Sequence, residues 1–216
     1  MRYLINNPER VLSLTLEHLR ITAIAVALAV VIGVPLGILV TRQRWLEAPV
    51  IRTAAILYTI PSLALFALLI PITGLGVRPA IVALVLYGLL AIIRNTVAGI
   101  DSVDPFTLDA ARGMGMTNTQ QLFLVQLPLG LPVILAGIRI ATIATIGIAT
   151  ISAYIGAGGL GRLIFDGIRT GNNDRIIAGA LVVSLLALFA DVGLAWLGRA
   201  LRRDVDQPPA SRRGIP

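Results

Sequence analysis

The chain has no cysteine and no lysine: all 18 of its basic residues are arginine, and its one histidine is His18. Without lysine there is no Walker-type phosphate loop, whose lysine reaches the nucleotide phosphates, and no Schiff-base chemistry. Without cysteine and with one histidine there is no disulfide framework and no conventional Cys/His zinc site. Charge is scarce too: 13% of residues are charged, against about 25% in soluble domains. Aromatic residues make up 5%.

Apolar residues fill the space that these absences leave. They account for 56% of the 216 residues, and the mean hydropathy is +0.88. A single membrane-embedded unit is the reading this composition supports. The net charge of +7 does not point to nucleic acid, because the arginines are scattered between apolar runs; the lipid bilayer is the expected neighbour.

A hydrocarbon core about 30 Å thick takes roughly 20 apolar helical residues to cross. Five stretches qualify: Ile21–Thr41, Thr53–Gly74, Pro79–Ile100, Leu131–Ala153 and Ile176–Gly198. The fold class expected is an all-α membrane protein with five transmembrane helices. The chain then divides into an N-terminal interfacial segment (1–20), one transmembrane domain (21–198) with a polar loop at 101–128, and a basic, partly disordered cytoplasmic tail (199–216). Glu9, Arg10, Glu17 and Arg20 break any signal-peptide core, and Leu12, Leu16 and Leu19 recur at helical spacing. Pro8–Leu19 therefore reads as a short amphipathic helix at the interface. With the C-terminus inside and the N-terminus outside, nine arginines lie on the inner side and seven on the outer, a small positive-inside excess.

The loop at 101–128 has local signals for two short helices. Asp104-Pro105 supplies an N-cap and a preset first turn, and Gly113 a C-terminal stop. Thr117 with Gln120 is a capping-box pair, and Pro128 bounds the second helix. The pair is too short and too polar to cross a membrane.

Asp109-Ala110-Ala111, Gly113 and Leu127-Pro128 resemble the EAA loop of binding-protein-dependent ABC importer permeases. Asp109 stands where that family usually has Glu. Further stretches, Thr59–Leu65, Arg94-Asn95-Thr96, Ala110–Thr117 and Ile155–Gly161, resemble the osmoprotectant branch, which imports glycine betaine, choline or carnitine. The resemblance implies a MetI-like type I permease fold, and a transport subunit rather than an enzyme. It implies that Asp109, Ala110, Ala111, Gly113, Gly115 and Pro128 serve coupling to a cytoplasmic ATPase that binds the ATP, this chain binding no cofactor itself. It also implies a second permease subunit, identical or homologous, and a separate extracytoplasmic binding protein that holds the aromatic cage for the solute. An importer of the same architecture for another solute, such as an amino acid, is the nearest alternative. A secondary transporter or channel leaves the loop without a task.

Gly156-Ala-Gly-Gly-Leu-Gly161 matches G-x-G-x-x-G, but a membrane helix precedes it and no βαβ unit is available. Gly156, Gly158, Gly159 and Gly161 are expected instead in a flexible outer turn that helps gate the pathway. Gly33 and Gly37 form a GxxxG pair, with Pro35 between them, that favours close packing inside one subunit. Pro61 and Pro71 break the second span, and Ser62 beside Pro61 is a candidate pathway residue. Arg94, Arg139 and Asp191 lie inside spans, where charge is costly unless paired or wet; Asp191 is expected to pair with Arg94 or Arg139. No residue reads as catalytic or metal-binding. Tyr58, Phe66, Tyr87 and Tyr154 are spread along the chain from the second span to the end of the fourth and compose no evident cage.

Overall fold

The computed structural model describes residues 2–203, and all of its regular structure among them is helical. In chain order the helices are α1 (Arg2–Asn6), α2 (Pro8–Arg42), α3 (Glu47–Thr59), α4 (Ser62–Thr73), α5 (Val77–Asp101), α6 (Pro105–Gly113), α7 (Asn118–Gln121), α8 (Leu127–Ser152), α9 (Gly161–Thr170) and α10 (Asn173–Arg203). Four stretches are long and apolar enough to cross a bilayer: Pro8–Arg42, Val77–Asp101, Asn118–Ile155 and Asn173–Ala200. A fifth crossing, if it is one span, is the pair Arg44–Thr59 and Ser62–Thr73, bent by 100°.

Three boundaries differ from the sequence reading, each for a local reason. Residues 8–20 are the first turns of a continuous α2, not a separate helix: Pro8 opens it, and nothing between Leu19 and Ile21 stops it. At 1.5 Å per residue its 35 residues reach about 52 Å, well beyond the hydrocarbon core. The side of this segment that packs carries Leu14 and His18, while Leu12, Leu16 and Leu19 are exposed. Second, the expected kinked span 53–74 is two helices, and the break is at Ile60-Pro61 alone; Pro71 lies inside α4. Third, Pro128 does not bound a helix. A wide, π-type turn over Leu122–Gln126 joins α7 to α8, and Pro128, which has no N–H to give the carbonyl of Leu124, sits in the first turn of α8.

The most extensive contacts are those of α5 with α2 and with α8. Lipid supplies no hydrophobic drive between helices, so close approach of backbones must do the work. A Cβ on Gly33 would stand 2.8 Å from Ile92 Cγ2, and one on Gly37 2.6 Å from Thr96 Cβ, so the GxxxG pair is used within this chain, against α5. On the adjoining face of α5, Gly137 of α8 seats against Asn95 and Ala91. Ala25, Ala29, Ala80, Ala83 and Ala141 extend the small-residue seam, and Leu65, Phe66, Leu84 and Ile92 fill the rest of the core. Buried hydroxyls bond back to their own helix: Thr22 to the carbonyl of His18, Thr96 to that of Ile92 and Ser152 to that of Ala149.

Outside this trio, α10 packs on α8 and α9. Of the tail expected from 199 onward, Arg199–Arg203 continue α10, and 204–216 lie outside the described residues.

Candidate functional site: a helical loop and a broken span

The loop between α5 and α8 is built by its capping residues. Asp104 accepts a hydrogen bond from the backbone of Phe106 at 2.9 Å and so caps α6, with Pro105 as its first residue. Thr117 and Gln120 form the full reciprocal capping box at the start of α7. The stop between them is displaced from its expected place. Gly113 is the last helical residue, and the left-handed residue is Gly115, at φ 81°. Met116 N–H bonds to Ala111 O at 3.1 Å and Gly115 N–H to Arg112 O at 2.9 Å, the paired closure of a Schellman motif.

This geometry sorts the coupling candidates by face. Ala111 is buried against the body of the protein, whereas Asp109, Ala110 and Gly113 are exposed. With Phe106 the outward residues fall at i, i+3, i+4 and i+7, one stripe of a helix. Phe106 is 82% and Met114 71% exposed, unusual for large apolar residues on a polar loop. Asp109 is held by Arg112 on its own helix at 3.0 Å. Gly115 shapes the turn rather than the stripe, and Pro128 is remote from it along the chain. A polar groove of about 250 Å³, lined by Arg44, Asp101, Pro105, Asp109 and Arg112 among others, separates α6 from the end of α5. Across it Arg44 grips Asp101 with two hydrogen bonds, at 2.8 and 2.5 Å, and reaches Glu47 at 3.3 Å. Arg42 at the end of α2 bonds to Asn118 O at 2.6 Å. The ends of α2, α5 and α7 are thereby tied together beside α6.

At the break of the second span, Ile60 is extended (φ −66°, ψ 127°) and α4 restarts after Pro61. Tyr87 of α5 donates its hydroxyl to Ile60 O at 2.5 Å, satisfying a carbonyl that the break takes out of the helix. Tyr58 packs edge-on to Tyr87 with ring centroids 5.9 Å apart. The fold therefore unites two tyrosines that lie on different spans in the sequence. Pro61 is exposed and Ser62 half-buried at this break.

The glycine-rich turn, expected as an open connection, is packed against α2. Gly156, Gly158 and Gly159 all have positive φ, yet Ala157 is 5% and Leu160 0% exposed. Glu17 of α2 accepts a hydrogen bond from Gly159 N–H at 3.0 Å, and a Cβ on Gly158 would meet the same carboxylate at 2.7 Å. Beside it, buried His18 donates from Nε2 to Ile146 O at 3.1 Å. Gly161 sits against the backbone of Thr150. The signal for this docking was Glu17-His18 themselves, a polar pair on the packed side of α2.

Among the charges inside spans, Arg139 and Asp191 form a two-point pair, Nε to Oδ1 at 2.5 Å and Nη2 to Oδ2 at 2.7 Å. Arg94 stands apart from both, exposed on α5, with no ion pair or hydrogen bond among the described residues.

A bundle of apolar helices interrupted by a capped, outward-facing loop has the architecture of a membrane permease. The chain belongs to the family described as binding-protein-dependent transport system inner membrane component, whose model matches residues 33–203. It is 48% identical over 202 residues to the osmoprotectant import permease protein OsmW of Salmonella typhimurium, covering 91% of this chain and 92% of that one. It is 45% identical to the choline transport system permease protein OpuBB of Bacillus subtilis, with 93% of each chain covered. The glycine betaine/carnitine/choline transport system permease protein OpuCB of Bacillus subtilis is also 45% identical, with 90% of each covered. A chain of the MetNI methionine ABC transporter in an inward-facing conformation superposes with a TM-score of 0.82 at 25% identity, over 90% of this chain and 98% of that one. The protein is thus a permease subunit of an ABC importer with the MetI-type fold, and a transport component rather than an enzyme.

Proposed function

We propose that this chain forms half of the translocation pathway of an importer for small osmoprotectants, the quaternary ammonium compounds glycine betaine, carnitine and choline. The support for the solute class is that relatives 45–48% identical over nine-tenths of the chain bear those names. The likeness to the methionine transporter supports the architecture and does not choose the solute. A second permease subunit, identical or homologous, completes the pathway; a binding protein delivers solute from outside. ATP is bound and hydrolysed by cytoplasmic ATPase subunits. The C-terminus faces the cytoplasm and the N-terminus the outside, so that α6 points inward.

The α6 stripe of Phe106, Asp109, Ala110 and Gly113 is the surface the ATPase engages, with Met114 at its end. Small residues at Ala110 and Gly113 let the partner approach, and Phe106 fills a pocket in it. The ties from Arg44 to Asp101 and from Arg42 to Asn118 carry the displacement of α6 into α2 and α5. The break at Ile60-Pro61-Ser62 lies along the pathway. The turn at 156–161 forms its outer edge and moves with α2 as one body.

Uptake of labelled glycine betaine, carnitine and choline by cells lacking other such transporters, with this chain, its ATPase and its binding protein present, tests the assignment. Uptake that requires the chain supports it; transport of an amino acid control instead of all three removes the solute class and leaves the architecture. Because the chain has no native cysteine, Phe106→Cys is a single reporter for cross-linking to the ATPase. Failure of Phe106→Cys to cross-link to any ATPase position refutes the docking surface.

A further inference from the structure

Tyr87, Arg94 and Asp101 recur every seven residues on α5, close to two helical turns, and so share one face. Its outer half is covered: Ala80, Ala83 and Tyr87 are buried in the cluster that includes Leu65 and Phe66 of α4. Its inner half is open, with Arg94, Ala98 and Asp101 exposed. The change occurs where α3 and α4 diverge at 100°, at the level of the Tyr58–Tyr87 pair.

Arg94 has no anion within the chain's described residues. The next carboxylate along its face, Asp101, is held by Arg44, and the carboxylate of Asp191 is held by Arg139. An arginine inside a span faces water or a partner rather than lipid, and backbone outside a helix at membrane depth also lines a cavity or protein. The arginine lies on the same face of α5 as Tyr87, whose hydroxyl bonds the Ile60 carbonyl at the break. Tyr58 is 46% exposed and stands edge-on to Tyr87, an accessible aromatic ring beside that face.

We propose that the open face between Tyr58 and Arg94 is a transit site for zwitterionic solutes, taking a quaternary ammonium group against the tyrosine ring and a carboxylate on the arginine. It rests on the solute class proposed above and adds which residues touch the solute within the membrane. The Cα of Arg94 lies about 10 Å along the axis from that of Tyr87. A long helical side chain leans toward the N-terminal turn, which brings the guanidinium to within a small zwitterion's length of the ring pair. Arginine receives a carboxylate with two parallel hydrogen bonds, and an aromatic face attracts a cation that cannot donate one. Both groups are open to water, so the site is weak, as a pathway requires if solute is to leave it.

The three solutes separate these contacts, since glycine betaine and carnitine carry a carboxylate and choline does not. In the complete transporter, Arg94→Gln is expected to lower the ratio of glycine betaine to choline uptake by about tenfold, the effect of losing one charged hydrogen-bonded contact. Arg94→Lys restores part of that ratio. Tyr58→Leu lowers the uptake of all three, and Tyr58→Phe, which keeps the aromatic face, restores it. An equal loss of all three solutes in Arg94→Gln, or no loss of any, overturns the proposal; the equal loss would assign Arg94 to a contact with the second permease subunit. A wild-type complex that moves none of the three defeats the solute class instead. The arginine contact then stands or falls on whether Arg94→Gln slows the carboxylate-bearing solute that is transported.

Discussion

Two glycines separated by one residue in the α6 loop are expected to respond to substitution with opposite signs. Gly113 is helical, and nothing lies within 4 Å of a Cβ placed on it. Replacing it with alanine adds no clash and removes a flexible residue from a helix, stabilising the loop by about 0.5–1 kcal/mol. Gly115 also has open space around its Cβ, but its φ is 81°. An L-residue there costs about 1–2 kcal/mol and strains the two hydrogen bonds that close α6. Hydrogen–deuterium exchange over 105–121 reads both effects. Gly115→Ala should speed exchange by about 5- to 30-fold, and Gly113→Ala should slow it. Transport discriminates further: Gly113 shares the outward stripe with Phe106, Asp109 and Ala110, where Gly113→Leu overpacks the seam by about 1–3 kcal/mol. Stimulation of the ATPase by the loaded binding protein then falls about tenfold or more, while the loop itself stays folded. Faster exchange in Gly113→Ala would refute the assignment of helical and left-handed positions. Undiminished coupling in Gly113→Leu would refute the docking stripe.

Other substitutions probe the remaining elements. Thr117→Ala removes the hydroxyl of the capping box and should cost the start of α7 about 1 kcal/mol, read as faster amide exchange at 118–121. Tyr87→Phe leaves the Ile60 carbonyl without its donor at a cost of about 1–3 kcal/mol, lowering the thermal midpoint of the purified permease; an unchanged midpoint contradicts that hydrogen bond. Exchanging the charges, Arg139→Asp with Asp191→Arg, should recover a large part of the folded yield that either single change loses, measured by fluorescence-detected size exclusion. Glu17→Ala unpins the glycine-rich turn, so that cysteine placed at Ala157 becomes accessible to a maleimide, whereas with Glu17 present it labels slowly.

How much of this was legible in the sequence depends on whether the signal was local. Asp104-Pro105 and Thr117-Gln120 are local chemistry, and the caps form where those residues stand. Hydropathy located the apolar stretches because each residue's transfer into lipid is largely its own property. It could not show that 8–20 continue into α2, since a charged turn at a membrane surface is as helical as the span that follows. Nor could it show that Pro61 separates two helices at 100°. A proline inside a span is compatible with a kink or a break, and the break needs the Tyr87 hydroxyl from another helix. The choice between Gly113 and Gly115 turns on the sign of φ, which the pattern Gly-Met-Gly leaves open. The packing of 156–161 was hidden for the same reason: glycine reads as freedom until Glu17 and His18 are placed against it. Ala110 and Ala111 look equivalent in the sequence, and only the body of the protein distinguishes the buried one from the exposed one.

The most direct test of ATP-driven import of a quaternary ammonium solute is a single reconstitution. Proteoliposomes containing this chain, its ATPase and its second permease subunit, with the binding protein outside, are supplied with labelled glycine betaine, carnitine or choline. The expected result is accumulation that requires ATP on the ATPase side and disappears when ATP is omitted, whatever ion gradient is imposed. Accumulation driven by an ion gradient without ATP would contradict the claim.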